Sequence, residues 1–329
     1  MNYTTHKNLI MIMLCTLSVF SAQALAVVVP AGSVDALAAA IAEAGPGGEV
    51  VLAAGLHKIS GTVMVEIPVS IVGEDGAVLE SANSAPDDVV KAALHIRGAD
   101  GARIENLIIQ TPADANVAAA NAGIVIENAS DVQIVDNQIT GHTNGVLIEH
   151  GDRALLKDNV VQTTKDGIVL INGRDISIQD NWVSCVRFGM WIGSERADVT
   201  GNTMQGNMIG LLLCTPKNFV ISGEVRVSET PATGCMVYQN YAFDNAWGYL
   251  VFDGAFNNLL MNNAAAFNTS YDIELGGESM RFGVLTPTTH DNTVIQGLKY
   301  AGSKVKVCGT NNRAQGHINL VDNAEDPCF

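Results

Sequence analysis

Two cations with matching neighbours stand 22 residues apart: Lys165 in TTKDGIVL and Arg187 in CVRFGMWIG, each two residues before a glycine. If the chain repeats at that interval, the two side chains lie about one strand spacing apart, roughly 4.8 Å. Like charges that close repel unless an anion lies between them. A cation that neutralises a carboxylate makes the proton on the adjacent carbon removable, and a second basic group can then take it. A lyase or C5-epimerase acting on a uronate polymer needs this chemistry. Lys165 or His142 would be the base and Arg187 the neutraliser, with Asp166 on the same turn. The competing expectation is a solvated surface, with Lys165 paired to Asp166 or another acid and Arg187 to Glu195, which does no chemistry.

Two residues after each aligned glycine the outward column reads Val125, Leu147, Val169, Trp191, Leu212 and Leu250, and alignment puts His95 at its head. A contiguous apolar strip on an outer strand face implies a cover, a partner or a ligand platform. Three readings stand: cover by an insertion at 216–235 or by the C-terminal tail, a homo-oligomer contact, or a saccharide groove in which Trp191 stacks on a sugar ring. Substrate-binding candidates beside it are His95, Glu127 and Glu149. Glu127 and Glu149 share one column, as two glycosidase carboxylates would, but Arg97 heads that column and an Arg97–Glu127 ion pair competes.

The elements that position these residues follow from the repeat. Glycines recur at 123, 145, 167, 189 and 210, and asparagines at 137, 159, 181 and 202, with Asn240 eight residues before Gly248. A period in the twenties marks a solenoid whose units bury their apolar faces only against one another. Within each unit Ile, Val and Leu alternate in short runs separated by Gly, Asn and Asp, which predicts three short strands per coil. The expected fold is all-β, a right-handed parallel β-helix. Asn137, Asn159, Asn181, Asn202 and Asn240 then form a ladder of amides at one corner, structural in purpose, because an unpaired buried amide costs about 1–3 kcal/mol. Leu107 takes that corner one coil earlier.

Residues 33–44 carry a helical pattern with Ser33 as cap and Gly45-Pro46-Gly47 as stop, fit to plug the open end of the solenoid. The stretches 111–122 and 216–235 lengthen their coils. From about residue 270 the repeat breaks into a C-terminal cap that concentrates Asp272, Glu274, Glu278 and Arg281, where a Glu–Arg pair could form, or Glu274 and Glu278 could bind calcium through oxygen.

These repeats resemble those of right-handed parallel β-helix proteins of the pectate-lyase-like type, and are similar to NosD-type periplasmic repeats over residues 32 to 300. The resemblance implies the fold and leaves the activity open, because that scaffold hosts lyases, hydrolases, epimerases, adhesins and accessory proteins. Polygalacturonase-like hydrolases carry an aspartate cluster with Gly-His-Gly and Arg-x-Lys; here ITGHTNG supplies only Gly141-His142. The Asp-Pro-His-Asp motif of mannuronan epimerases is absent. Alginate- and chondroitin-degrading β-helix lyases use Lys and Arg on adjacent coils, as Lys165 and Arg187 would be.

With 18 basic and 34 acidic residues and a net charge of −16, nucleic acid is excluded as a partner. The opening run from Leu9 to Phe20, followed by Ala24-Leu25-Ala26, reads as a signal peptide over residues 1–26, leaving one secreted or periplasmic domain over 27–329. Export permits disulfides, and the spacings suggest Cys308–Cys328 and, more weakly, Cys214–Cys235. No cysteine or histidine spacing suggests a metal site. The expected partner is a polysaccharide, bound or turned over. A non-catalytic binding, structural or adhesive role in the envelope is the alternative.

Overall fold

Alternating apolar runs of three to nine residues, bounded by Asn, Asp and Gly, form strands that cannot bury their inward side chains alone. In the computed structural model, which describes residues 26–81, 91–112, 122–215, 219–221, 224–226, 230–276, 289–300 and 302–321, they stack into three parallel sheets. Sheet A has 12 strands, sheet B has 9 and sheet C has 11. One coil runs through Leu155–Lys157 in sheet A, Val160–Thr163 in sheet B and Asp166–Arg174 in sheet C. The next coil lies on it in register, pairing Leu156 with Ile178, Val161 with Val183 and Ile168 with Met190. The fold is the expected right-handed parallel β-helix. Inward residues such as Ile134, Leu156, Ile178 and Val199 are fully buried, each worth about 1.5–3 kcal/mol.

The turn from sheet B into sheet C explains the glycine column. At Gly167 a β-carbon would overlap both Val183 Cγ1 and the Gly189 carbonyl of the next coil. Close approach of backbones, rather than an unusual dihedral, demands glycine there.

At the corner between sheets A and B the amide of each ladder asparagine donates to the next coil. Asn159 Nδ2 donates to Asn181 Oδ1 at 2.9 Å and to the Ile134 carbonyl at 2.8 Å, while Asn159 Oδ1 accepts from the Asn137 backbone N–H at 3.0 Å. The Leu107 N–H closes one end on Asn137 Oδ1. The ladder runs beyond Asn240 through Asn263 to Gln296. Two further ladders, Asn207–Asn245–Asn268 and Asn258–Asn292–Asn312, occupy the other corners. Strands Thr293–Gln296, Ser303–Val307, Arg313–Gly316 and Ile318–Leu320 extend sheets A and C. The coils therefore continue where the sequence suggested a cap.

The helix spans Leu37–Ala44 and buries Leu37, Ala40 and Ile41 against the first strands. Ser33 does not cap it, because Ala36 holds the N-cap position and the Ser33 hydroxyl donates to the Pro30 carbonyl instead. A strand, Val27–Val29, precedes the helix and pairs with Glu49–Leu52. The insertion contains an antiparallel hairpin, Phe219–Ile221 with Glu224–Arg226. By Ala232 the chain is back in the stack, for Ala232 and Cys235 are fully buried. The proposed signal segment, residues 113–121, Glu278, Arg281 and Cys328 lie outside the described residues, so the Cys308–Cys328 bridge and a Glu–Arg pair with Arg281 stay expectations. The Cys214–Cys235 bridge does not form. Cys214 Sγ accepts a hydrogen bond from Trp191 Nε1, and the Cys235 thiol faces the Ser194 carbonyl.

Candidate functional site

The turns from sheet B into sheet C do place Lys165 and Arg187 on adjacent coils, with the Arg187 N–H donating to the Lys165 carbonyl at 2.8 Å. Their side chains behave differently from each other. Arg187 grips Asp166 with both arms, Nε to Oδ1 at 2.7 Å and Nη2 to Oδ2. Its guanidinium carbon lies 4.5 Å from the Phe188 ring centre and 5.5 Å from that of Trp191. Asp166 is completely buried and Arg187 keeps one edge in solvent. The protein itself thus supplies the anion that Arg187 needs, and Lys165 takes no part in that pair. The pairs Lys165–Asp166 and Arg187–Glu195 do not form; Glu195 meets Arg196 at 3.4 Å.

His142 lies inside the corner, fully buried, and neither ring nitrogen has a partner. Burial pushes its pKa down to about 4, keeping the ring neutral. A base must reach solvent-borne substrate, and this imidazole does not. The signal was present in the spacing: His142 stands three residues before Gly145, as the buried Asn207 and Asn245 stand before Gly210 and Gly248.

The outward column of sheet C is buried by the chain itself, Val169 completely and Trp191 to 8% exposure. It forms a second apolar cluster with Phe188, Ile209 and Phe252. Trp191 packs edge-on against Phe188, with ring centres 5.0 Å apart. It offers no open stacking face, and the strip offers no exposed patch for a second copy of the chain. Polar residues end the column on both sides. His95 Nε2 meets Glu127 Oε2 at 2.9 Å, and burial outweighs that carboxylate to lower the imidazole's pKa. Glu127 and Glu149 do share a column headed by Arg97, but Arg97 pairs with Glu66 and leaves Glu127 to His95. At the far end Glu274 accepts from Trp247 Nε1 at 3.0 Å and faces Lys306 Nζ at 3.9 Å, all but sealed from water. Asp272 accepts from Asn268 Nδ2 and the Lys304 N–H. These carboxylates are committed to the fold, which removes Glu274 as a calcium ligand.

An open cleft of about 310 Å³ lies where the strands of sheet C end and turn toward sheet A, lined by His150, Asp152, Asn172, Gly173, Arg174, Glu195 and Thr230. His150 and Asn172 both adopt left-handed backbone, with φ of 50° and 57°, which turns successive coils at the same place. The Thr230 N–H, on the return from the insertion, donates to Asn172 Oδ1 at 3.2 Å. Arg174 Nε donates to Asp152 Oδ2 at 2.8 Å, one of a series in which each arginine reaches back one coil, with Arg153 to Asp131 before it and Arg196 to Asp175 after it. The sequence reading missed this cleft. Its signal was the aspartate-to-arginine interval of 22, 22 and 21 residues.

A family model described as periplasmic copper-binding protein (NosD) matches residues 104–302. No curated protein sequence matches the chain. Among solved structures, the mannuronan C-5 epimerase AlgE4 A-module of Azotobacter vinelandii is 15% identical, with a TM-score of 0.61 over 87% of this chain and 92% of that one. DFA-IIIase of Arthrobacter chlorophenolicus A6 is 14% identical, with a TM-score of 0.62 over 88% and 85%. Alginate lyase of Paenibacillus sp. str. FPU-7 is 13% identical, with a TM-score of 0.52 over 89% and 99%. At such identities the likeness is one of fold alone.

Copper favours thiolate, thioether and imidazole ligands held together. Among the described residues no three of His, Cys, Asp and Glu converge on a metal position. The Cys185 and Cys235 thiols are pushed up by burial to about 12 and 11, which keeps them protonated. Among the described residues, no cluster of His, Cys, Asp and Glu therefore fits a resident copper ion.

Proposed function

The chain belongs to the NosD family of periplasmic copper-binding proteins, and from that membership and its geometry we propose an exported, periplasmic β-helix that binds polysaccharide in the cleft between sheets C and A. The cleft carries this proposal. Its volume of about 310 Å³ falls at the lower end of small-molecule sites, roughly 300–1,000 Å³, room for a sugar unit or two of a longer chain. Hydroxyl-rich ligands need donors and acceptors side by side. His150, Asn172 and Arg174 supply donors, Asp152 and Glu195 acceptors, on coils one strand spacing apart. Fold relatives named for mannuronan and alginate accompany this assignment without carrying it. The test is calorimetric titration of the mature chain with alginate, pectate and chondroitin fragments. His150→Asn, which tolerates the left-handed backbone, should weaken binding about tenfold at an unchanged melting temperature. Binding equal to the parent would remove the cleft.

A second reading, a uronate lyase or C5-epimerase, is favoured by one observation: Lys165 is half-buried on the coil beside Arg187, whose outer edge meets solvent. Lys165 would take the proton and Arg187 would steady the carboxylate. Ultraviolet absorbance of unsaturated uronides tests the lyase, and proton exchange at C5 tests the epimerase. Activity that survives Lys165→Ala would exclude this assignment.

A further inference from the structure

The solvent face of sheet B differs from the rest of the molecule. From Ile108–Gln110 to Ala264–Ala266 no outward residue on its strands carries a charge, although the chain has a net charge of −16. Soluble surfaces ordinarily carry about 25–35% charged residues, so a strip this long without any needs a reason. It is not a plain apolar patch. Gln138, Thr140, Gln162 and Thr203 present amides and hydroxyls, and between them stand the rings of Trp182 and Tyr241. Trp182, Thr203 and Tyr241 share one column on consecutive coils. The two rings are therefore about 10 Å apart, two strand spacings, and they flank a hydroxyl. Phe243 continues the aromatic face in the neighbouring column, beside Gln205.

An aromatic face stacks on the C–H face of a sugar, and amides and hydroxyls bond its hydroxyls. The two-coil interval suits the two-residue repeat of an extended hexose chain. Charge selects among such chains. Asp136, Asp158 and Asp180 stand exposed along the corner that borders the face, and a concavity of about 500 Å³ lined by Asp136, Asp158, Gln138 and Val160 joins that rim to it. A polyanion would be repelled there, while an uncharged chain would lose nothing. We infer that the outer face of sheet B is a binding platform for a neutral polysaccharide, separate from the cleft between sheets C and A and independent of it.

Affinity electrophoresis of the mature chain in gels holding hydroxyethyl cellulose, xylan or soluble β-glucan tests this. At least one of these polymers should slow the parent. Trp182→Ala and Tyr241→Ala should each weaken the apparent affinity about tenfold, Thr203→Asp should abolish retardation, and Trp182→Phe should retain most of it, which separates ligand loss from misfolding. Glu49→Gln, on the outer face of sheet A, should change nothing. Free migration of the parent in all three polymers overturns the inference, as do retained binding in both alanine variants or equal loss in Glu49→Gln. A dimer in light scattering that Thr203→Asp dissolves, with no retardation of the parent, would also overturn it by making the face a self-contact.

Discussion

Replacing Asn159 by leucine keeps the side-chain volume and removes one rung from the middle of the longest amide ladder. Four hydrogen bonds end on the Asn159 amide: two donated, to the Ile134 carbonyl and Asn181 Oδ1, and two accepted, from Asn137 N–H and Asn137 Nδ2. Asn181 Oδ1 keeps the Asn159 backbone donor, and Asn137 Nδ2 keeps the Ile104 and Val135 carbonyls. The Asn137 N–H loses its partner in a dry interior, and the Ile134 carbonyl, which lies within the paired strands of sheet A, loses its side-chain donor. At about 1–3 kcal/mol for a stranded group, the loss is at least roughly 1–3 kcal/mol. Gln162→Leu, on the solvent face of sheet B, should stay within about 0.5 kcal/mol. Urea unfolding followed by circular dichroism measures both, compared at a shared slope because solenoids can unfold in parts. Equal midpoints for the two variants would refute the claim that the ladder holds the corner.

Gly167→Ala should destabilise by about 1–3 kcal/mol or more, because its β-carbon meets the Gly189 carbonyl backbone, which cannot step aside. For His142 the folded pKa of about 4 lies below the ordinary histidine value of 6.5. The unfolded chain therefore binds more protons between those values, and stability present above pH 6.5 is lost as pH falls toward 4, roughly 3 kcal/mol in all. His142→Leu should flatten that slope in urea titrations at pH 7 and pH 4.5, and an unchanged slope would clear His142 of the effect. Alkylation of the folded protein should leave Cys185 and Cys235 unmodified, since burial keeps both thiols protonated. Mass spectrometry after unfolding should find both reactive and a Cys308–Cys328 peptide linked, and fast native labelling would contradict the burial.

The glycine and asparagine spacing made the coil, its three strands and the ladder from Asn137 to Asn240 legible, because backbone close approach and stacked amides tolerate few residue types. The same pattern lost Asn263 and Gln296, where the intervals change to 23 and 33 residues. It also misplaced the chemistry. Lys165 and Arg187 do stack, yet the sequence gives no sign that Asp166 turns inward to neutralise Arg187, because strand alternation stops being informative at a turn. Trp191 sits at an outward position and is buried all the same, since alternation specifies a face of the sheet and says nothing of what lies over it. The cleft depends on residues from three coils and on the return of the insertion, a meeting that no local pattern contains.

The central functional claim is that polysaccharide binds between sheets C and A, and the affinity of Arg174→Gln relative to the parent tests it most directly. Arg174 is exposed and its pairing with Asp152 is a surface contact, so its loss should scarcely affect stability. Equilibrium binding of labelled alginate, pectate and chondroitin fragments should show at least one ligand held by the parent and about tenfold weaker binding by Arg174→Gln at the same melting temperature. If the parent holds none of the three, or if Arg174→Gln binds as the parent does, polysaccharide is not bound in that cleft.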